Sequence, residues 1–268
     1  MSASLIPGLA ALIALVPMLL LVRGGAEPVV NRAYWIRLAA FVSGPAGCVV
    51  MLQAGGWRTG LGPALWLAVA TSAALFAVLA VSSTAARRLA PLLAGYLLLV
   101  GFLALAWQHL PARPLRMTDW PVWLPVHIAV ALVAYGLLTI AAVAGAAVVV
   151  QERALRRRAP TPFTRSLPSI ADGESLQMRL LATVEVLLGL TVLSGFVVNR
   201  GQAGAWFALD HKTILSLLAF AVIGGLLLLH LRLGLSGRRM ARFALLAYLL
   251  VTLAYPGVKL VTDLLIGA

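Results

Sequence analysis

Between His127 and Val150 the chain reads HIAVALVAYGLLTIAAVAGAAVVV, and no residue after the histidine carries a formal charge. A run of this length exceeds the roughly 20 apolar residues that a helix needs to cross the hydrocarbon core of a bilayer. Lipid offers no partner to an exposed backbone amide, so a helix is the open-chain structure that satisfies its own hydrogen bonds there. The run therefore predicts a transmembrane helix with a histidine at its head.

The rest of the chain has the same character. Hydrophobic residues make up 62% of the 268 positions and charged residues only 11%, a composition unlike that of soluble domains. We predict an all-α, polytopic integral membrane protein that forms a single membrane domain over residues 1–268. Eight apolar runs are predicted to span the membrane, at about 4–22, 33–53, 64–84, 89–108, 122–150, 180–199, 212–233 and 241–266.

The basic residues lie mainly in alternate loops between these runs. Fifteen of the 21 Lys and Arg residues fall in the loops on one side, including the clusters at 87–88, 153–158 and 238–242. Such an excess marks the cytoplasmic side, so both termini are expected outside (N-out, C-out). The same distribution accounts for the net charge of +13 without a nucleic-acid partner.

Two features near the start of the chain restrict its class. Residues 1–22 lack a basic stretch before the apolar run and a small-residue cleavage site, which favours a retained first helix over a cleaved signal peptide.

Cys48 is the single cysteine. One thiol forms neither an internal disulfide nor a CxxC pair, so thiol–disulfide exchange within this chain is excluded.

Two of the four histidines head predicted helices on the outer side. His127 opens the fifth span and His211 opens the seventh. Neutral imidazole is a suitable ligand for iron, and a helix N-terminus disfavours imidazolium. We therefore predict that His127 and His211 are a pair of axial haem ligands at one membrane surface. Asp210 is expected to cap its helix or to orient His211 through the second ring nitrogen.

Other outer residues suit the edge of such a site. Haem propionates are anionic, so the outer arginines are candidate partners for them. Tryptophans at span ends form either an ordinary aromatic belt or a platform for a planar ligand, and Trp206 lies in the loop just before His211. The candidate propionate partners are Arg58, Arg113, Arg116 and Arg200.

Ionisable residues inside the spans suggest different functions. Glu185 lies within the sixth span and Lys259 within the eighth. Such groups serve proton or solute transfer, or they hold helices together. A transporter or transport accessory for a metal ion or small solute is therefore an alternative, as is a structural membrane subunit. The polar stretch 169–178 is expected to form a short interfacial helix before the sixth span.

Several stretches resemble the cytochrome c assembly protein family, and in particular the small eight-helix YpjD-type, HemX-like branch of the CcsA/CcmC haem-handling superfamily. The similarity is strongest over about 121–266 and weaker over the first four helices, at about 4–108. The stretches that carry it are His127–Gly136, Leu167–Ser169, Leu193–Phe196, Asp210–Thr213 and Ala254–Lys259.

The resemblance implies a bacterial inner-membrane protein for cytochrome c biogenesis. In that superfamily two outer histidines ligate haem on its way to apocytochrome c, and His127 and His211 match those positions. The tryptophan-rich segment that the family carries between them is missing here. The implied role is that of a haem-handling or assembly factor rather than an enzyme, with haem, the lipid bilayer and other biogenesis proteins as partners.

Overall fold

The computed structural model describes residues 2–21, 30–108, 113–114, 123–203, 211–234 and 237–257. Nearly all of these residues are helical, which confirms the all-α prediction. The helices are α1 (Ser2–Leu19), α2 (Arg32–Gln53), α3 (Leu61–Ser82), α4 (Thr84–Arg88), α5 (Ala90–Ala106), α6 (Trp123–Arg156), α7 (Pro162–Ser166), α8 (Ile170–Ala203), α9 (His211–Leu233) and α10 (Gly237–Thr252), followed by a π-helical turn at Leu253–Gly257.

Five of the described helices are long and apolar enough to cross a membrane, namely α2, α3, α6, α8 and α9. The apolar helices α1 and α5 and the 16-residue α10 are shorter. Many large apolar side chains on these helices point away from the protein, such as Val78 at 69% exposure and Leu231 at 77%. An apolar exterior of this extent is suited to lipid rather than to water. The chain is a multi-pass membrane protein.

Helices α1, α2, α3 and α5 form one packed group. α1 packs against α2 and α5, and α3 packs against α2 and α5. Large side chains fill the space between them, including the fully buried Trp66. Phe41 of α2 meets Phe76 of α3 edge to face, with ring centroids 5.8 Å apart, a favourable arrangement of aromatic rings.

The second group consists of α6, α8, α9 and α10, and α6 also packs against α3. The contact between α6 and α8 is the most extensive in the protein. α6 presents many small residues, and small residues let helix backbones approach closely where lipid supplies no hydrophobic driving force. At Gly136 an added Cβ would lie 2.7 Å from Leu75 Cδ1 of α3. The small residues of α6 therefore place it at the centre of the bundle.

The two ends of the bundle differ in charge. At one end of the bundle lie the last residues of α6 and the first residues of α8 and α10, with Arg153, Arg156, Arg179 and Arg238. We call this the basic end. At the opposite end lie the first residues of α6 and α9 and the last residues of α8. We call this the histidine end. This arrangement agrees with the separation of charge in the loops.

A short strand pair at the histidine end was not predicted from the sequence. β1 (Arg58–Thr59) pairs antiparallel with β2 (Arg113–Pro114). Before β1 the chain turns at Gly56, whose φ is +104°. The Arg58 backbone N–H donates to Gln53 Oε1 at 2.7 Å. A polar side chain and a glycine turn create this strand pair. Apolar periodicity therefore does not predict it, and the strands are too short to show a periodic pattern.

The polar segment between α6 and α8 is more helical than expected. The stretch 169–178 is not a separate interfacial helix, because α8 runs without a break from Ile170. The Ser169 hydroxyl oxygen accepts the Asp172 backbone N–H at 3.1 Å, an N-terminal cap. α6 likewise continues beyond its apolar run to Arg156. Capping and the lack of a breaker keep these polar residues helical outside the apolar core.

Candidate functional site

His127 lies in the first turns of α6 and is half-buried against the last third of α8. Its Nδ1 atom is 2.9 Å from the hydroxyl oxygen of Ser194. The two residues are 67 positions apart in the sequence, and the close contact between α6 and α8 brings them together. The imidazole is therefore held by a rigid helix pair rather than by a loop.

Ser194 connects the ring to the backbone of α8. Its Oγ donates to the Thr191 carbonyl oxygen at 3.0 Å and lies within hydrogen-bond distance of His127 Nδ1. A hydroxyl has one proton, so when Ser194 donates to Thr191 it accepts from Nδ1–H, and Nε2 keeps its lone pair. A metal-binding histidine whose other ring nitrogen is oriented by a neighbour has that arrangement.

Gly195 completes the surroundings of the ring. An added Cβ at Gly195 would lie 3.4 Å from His127 Cε1, so the glycine lets the imidazole lie directly on α8. Trp123, one turn earlier on α6, is 58% exposed. It lies at the helix end, where an aromatic belt residue is expected. Together Ser194 and Gly195 fix the position and the tilt of the ring.

His211 is the first residue of α9. α9 packs against α8, and so does α6, so the backbones of His127 and His211 lie at the same end of the bundle on two helices that share a neighbour. The side chain of His211 lies outside the described residues, as do Asp210 and Trp206. The structure thus places the start of α9 but not the predicted contacts of these three residues.

The arginines predicted to contact propionates lie at or near the histidine end where they are described. The backbone of Arg113 belongs to β2 and pairs with Thr59, next to Arg58. Arg58 is exposed, and Arg200 belongs to the last turn of α8. The side chains of Arg113 and Arg200 and the whole of Arg116 lie outside the described residues. Strand pairing therefore brings the backbones of two of the four predicted arginines onto neighbouring strands, at diagonal rather than directly opposed positions.

Glu185 lies on α8 at the contact with α9. An added Cβ at Gly224 would be 2.7 Å from Glu185 Oε1, so the carboxyl group lies directly on the backbone of α9. Glu185 Oε2 is buried and has no hydrogen-bond partner among the described residues, and no described arginine forms an ion pair with it. Lys259, predicted within the last span, lies outside the described residues. Both alternatives for Glu185, proton transfer and helix packing, stay predictions.

A cluster of tyrosines was missed in the sequence. Tyr96 of α5, Tyr135 of α6 and Tyr248 of α10 meet through their hydroxyl groups. Tyr135 also lies 3.4 Å from Thr252 Oγ1. Single tyrosines in apolar runs look like ordinary core residues, and only the packing of three distant helices shows that these belong together.

The described residues contain no group of three or more His, Cys, Asp or Glu side chains that would hold a metal ion.

Comparison with known protein families gives one match over most of the chain. Residues 60–266 match the family model described as cytochrome C assembly protein. The matched region includes α6, α8, α9 and α10, and it begins before α3. It thus extends well before residue 121, where the strongest similarity was expected to begin. No solved structure is significantly similar to this chain.

Individual relatives show the same relationship. A protein of Azospirillum brasilense, called "Uncharacterized 28.8 kDa protein in nifR3-like 5'region", is 44% identical over the full length of both chains. Protein HemX of Brevibacillus brevis is 25% identical over 59% of this chain and 60% of its own. The cytochrome c biogenesis protein CcsA of Parasynechococcus marenigrum is 26% identical over 59% of this chain and 58% of its own.

Proposed function

Because the chain belongs to the cytochrome c assembly protein family, we propose that it binds or presents haem at one membrane surface through His127 and His211. The two histidines stand at the heads of α6 and α9, at the same end of the bundle. The names of two relatives, cytochrome c biogenesis protein CcsA and protein HemX, support a role in cytochrome c biogenesis and a relationship to the HemX-like branch.

The observation that carries this proposal is the hydrogen bond between His127 Nδ1 and Ser194 Oγ. We assign its proton to Nδ1, which leaves the Nε2 lone pair available, and the ring lies against Gly195. A bound haem would supply an iron centre whose affinity and redox potential depend on its axial ligands. His127 and His211 would hold that iron, and Ser194 would keep the His127 ring in one tautomer and one orientation.

The edge of the site is proposed to be cationic. Arg113, Arg116 and Arg200 are the candidate partners of the two propionates, because guanidinium groups pair with carboxylates in a bidentate manner. Trp206 is proposed to contact the face of the porphyrin and Asp210 to orient His211. The pairing of β1 with β2 supports this proposal, since it gathers arginine backbones at the histidine end.

The orientation follows from the charge of the basic end. We propose eight membrane-spanning helices, with the short α1, α5 and α10 joining the five long ones, and with the basic end in the cytoplasm. Both termini and the histidine end then lie outside, which in a bacterial inner membrane is the periplasmic face. The haem would be presented on the side where cytochromes c are assembled.

We propose an assembly factor rather than an enzyme. Covalent attachment of haem to a cytochrome c requires two thiols on the acceptor. The one cysteine of this chain, Cys48, is buried in α2. Other cytochrome c biogenesis proteins would then hold the acceptor while this chain holds haem.

Haem content tests the proposal directly. The wild-type protein, purified in mild detergent from haem-replete cells, is expected to show Soret and α-band absorption. His127→Ala and His211→Ala are expected to lose most of it, because each removes one axial ligand. His230→Ala is the matched control, since His230 lies near the other end of α9 and its variant should retain the spectrum.

Two results would overturn the ligand assignment. One is a colourless wild-type protein from fully haem-loaded cells. The other is a spectrum that survives in both histidine variants. Solute flux in proteoliposomes that depends on Glu185 and Lys259 and ignores both histidines would instead support the transport alternative.

A further inference from the structure

A cleft opens in the side of the bundle, away from the histidines. It has a volume of about 460 Å³, within the range of roughly 300–1,000 Å³ that is typical of ligand sites. One wall is α5, from Pro91 to Leu99, and the other wall is formed by α6 and α10. Leu99 is 58% exposed, so the cleft is continuous with the lipid-facing surface.

The cleft runs from the basic end toward the middle of the bundle. Phe163 of α7 and Pro91 at the start of α5 line it at the basic end. Pro91 and Leu99 are eight positions apart, which corresponds to about 12 Å along a helix. Tyr96 and Tyr248 line the inner part, where their hydroxyl groups meet across the gap.

The hydroxyl groups in the wall have partners within the protein. Thr252 Oγ1 donates to the Tyr248 carbonyl oxygen at 2.8 Å, and Thr139 donates to the Tyr135 carbonyl oxygen at 2.9 Å. The Tyr135 hydroxyl pairs with Thr252 Oγ1 and with the Tyr248 hydroxyl, which also pairs with Tyr96. Each hydroxyl that lines the cleft is therefore already hydrogen bonded inside the protein.

This network distinguishes between classes of lipid-soluble ligand. A quinone or another carbonyl-bearing ring needs a hydrogen-bond donor when it is buried, whereas the hydroxyl groups of this wall already pair with protein groups. A hydrocarbon chain has no such need, and the remaining lining is aliphatic or aromatic. The lining therefore suits the chain of a lipid rather than a polar head.

Two arginines lie close in sequence to the residues that line the cleft at the basic end. Arg165 is exposed and belongs to α7, the helix that contributes Phe163. Arg88 ends α4 immediately before α5, and it donates to the Leu167 carbonyl oxygen at 3.5 Å. Anionic lipid headgroups are attracted to arginines at a membrane surface.

We propose that this cleft is a binding site for an anionic phospholipid, with one acyl chain between α5 and α10 and the phosphate at Arg165. The acyl chain would fill the space between the two walls that protein side chains leave open. The site would then stabilise α5 against the second helix group independently of haem, so this proposal does not rest on the haem assignment.

Lipid analysis of the purified protein tests the site. The wild-type protein in mild detergent is expected to retain about one phospholipid per chain, enriched in phosphatidylglycerol over phosphatidylethanolamine. Gly95→Leu should lower this retention several-fold, because Gly95 lines the cleft and an added Cβ meets only Leu19 Cδ1, at 3.6 Å. Val78→Leu, on the exposed face of α3, is the matched control and should retain the lipid.

Adding lipid back provides a second measurement that does not depend on the variant. Phosphatidylglycerol should raise the unfolding temperature of delipidated wild-type protein more than that of Gly95→Leu, and glycerol phosphate without acyl chains should have no effect. Arg165→Gln should retain phospholipid but lose the preference for the anionic headgroup.

Three results would overturn the proposal. They are equal lipid retention by Gly95→Leu and wild type, a quinone retained in place of phospholipid, and a wild-type protein whose stability does not respond to phosphatidylglycerol. An unchanged headgroup preference in Arg165→Gln would overturn the placement of the phosphate at Arg165.

Discussion

At His127 one hydrogen bond holds the ring in place. His127 Nδ1 is 2.9 Å from Ser194 Oγ, and Ser194 Oγ is 3.0 Å from the Thr191 carbonyl oxygen. The ring is therefore restricted in rotation before any metal arrives. Such preorganisation raises metal affinity, because less freedom is lost on binding.

Removing the hydroxyl of Ser194 should weaken haem binding without removing a ligand. Ser194→Ala is expected to lower haem affinity about 10–100-fold, the usual effect of losing a partner that orients a metal-binding histidine. Ser194→Thr keeps the hydroxyl and should restore most of the affinity. Haem titration of the apoprotein, followed at the Soret band, measures both. Equal affinities in wild type and Ser194→Ala would remove Ser194 from the site.

The sequence predicted one member of this residue pair and not the other. His127 stands out because it is held at the head of a predicted helix, and the charge of the loops places it at an end of the bundle. Ser194 is a common residue within a predicted span, 67 positions away. Only the packing of α6 on α8 gives it a role, and helix packing is not encoded in the local pattern.

Among the helices, close backbone contacts are as important as apolar composition. Gly62 at the start of α3 lies against the end of α5, where an added Cβ would be 2.8 Å from Gln108 Cα. That neighbour is backbone, which cannot move aside as a flexible side chain does. Gly47 on α2 has nothing within 4 Å of its added Cβ. Gly62 is therefore required by the close contact between α3 and α5, whereas no such contact requires a glycine at position 47.

Alanine substitutions should distinguish a glycine in a close backbone contact from one without such a contact. Gly62→Ala should destabilise the protein by about 1–3 kcal/mol, as overpacking in a tight contact does. Gly47→Ala should be neutral or slightly stabilising, since alanine favours a helix over glycine. Unfolding in mixed micelles compares the two with wild type. If Gly62→Ala were as stable as Gly47→Ala, the close approach of α3 and α5 would be wrong.

The tyrosine cluster links α5, α6 and α10, and it should contribute to stability. Tyr248→Phe removes the hydroxyl shared by Tyr96 and Tyr135, and we expect a loss of about 0.5–2 kcal/mol, the range for hydrogen bonds between membrane helices. Tyr34→Phe is the matched control, because the buried Tyr34 hydroxyl has no hydrogen-bond partner among the described residues. The same unfolding assay should find Tyr34→Phe no less stable than wild type. Equal losses in both variants would contradict the network.

Helix positions were largely predictable, whereas their ends and the strand pair were not. Apolar runs identify α2, α3, α5 and α9 within a few residues of their observed bounds. The polar extensions of α6 to Arg156 and of α8 from Ile170 lie outside the apolar pattern, so hydropathy ended both helices too early. Caps such as Ser169 decide these ends.

For the whole molecule, the separation of charge sets the orientation. The basic end should face the cytoplasm, and the histidine end the opposite compartment. Single cysteines in a Cys48→Ala background test this with a membrane-impermeant maleimide. Ala54→Cys, at the histidine end, should be labelled in spheroplasts, and Arg157→Cys, at the basic end, only after permeabilisation. Both residues are exposed.

The opposite labelling pattern would place the histidine end in the cytoplasm and remove the periplasmic part of the proposal. Labelling of both cysteines after permeabilisation is the control for reactivity. The haem ligand assignment does not depend on this result, because both histidines head helices at the same end of the bundle.

The central claim is that one haem iron is held between His127 and His211, and electron paramagnetic resonance of the ferric protein tests it most directly. Two imidazole ligands give a low-spin signal, and the loss of either ligand leaves a vacant or water-filled position and a high-spin signal. We predict a low-spin wild-type spectrum, a high-spin spectrum from the residual haem of His127→Ala and of His211→Ala, and a low-spin spectrum in His230→Ala. A low-spin signal that persists in either of the first two variants would contradict the two-histidine site.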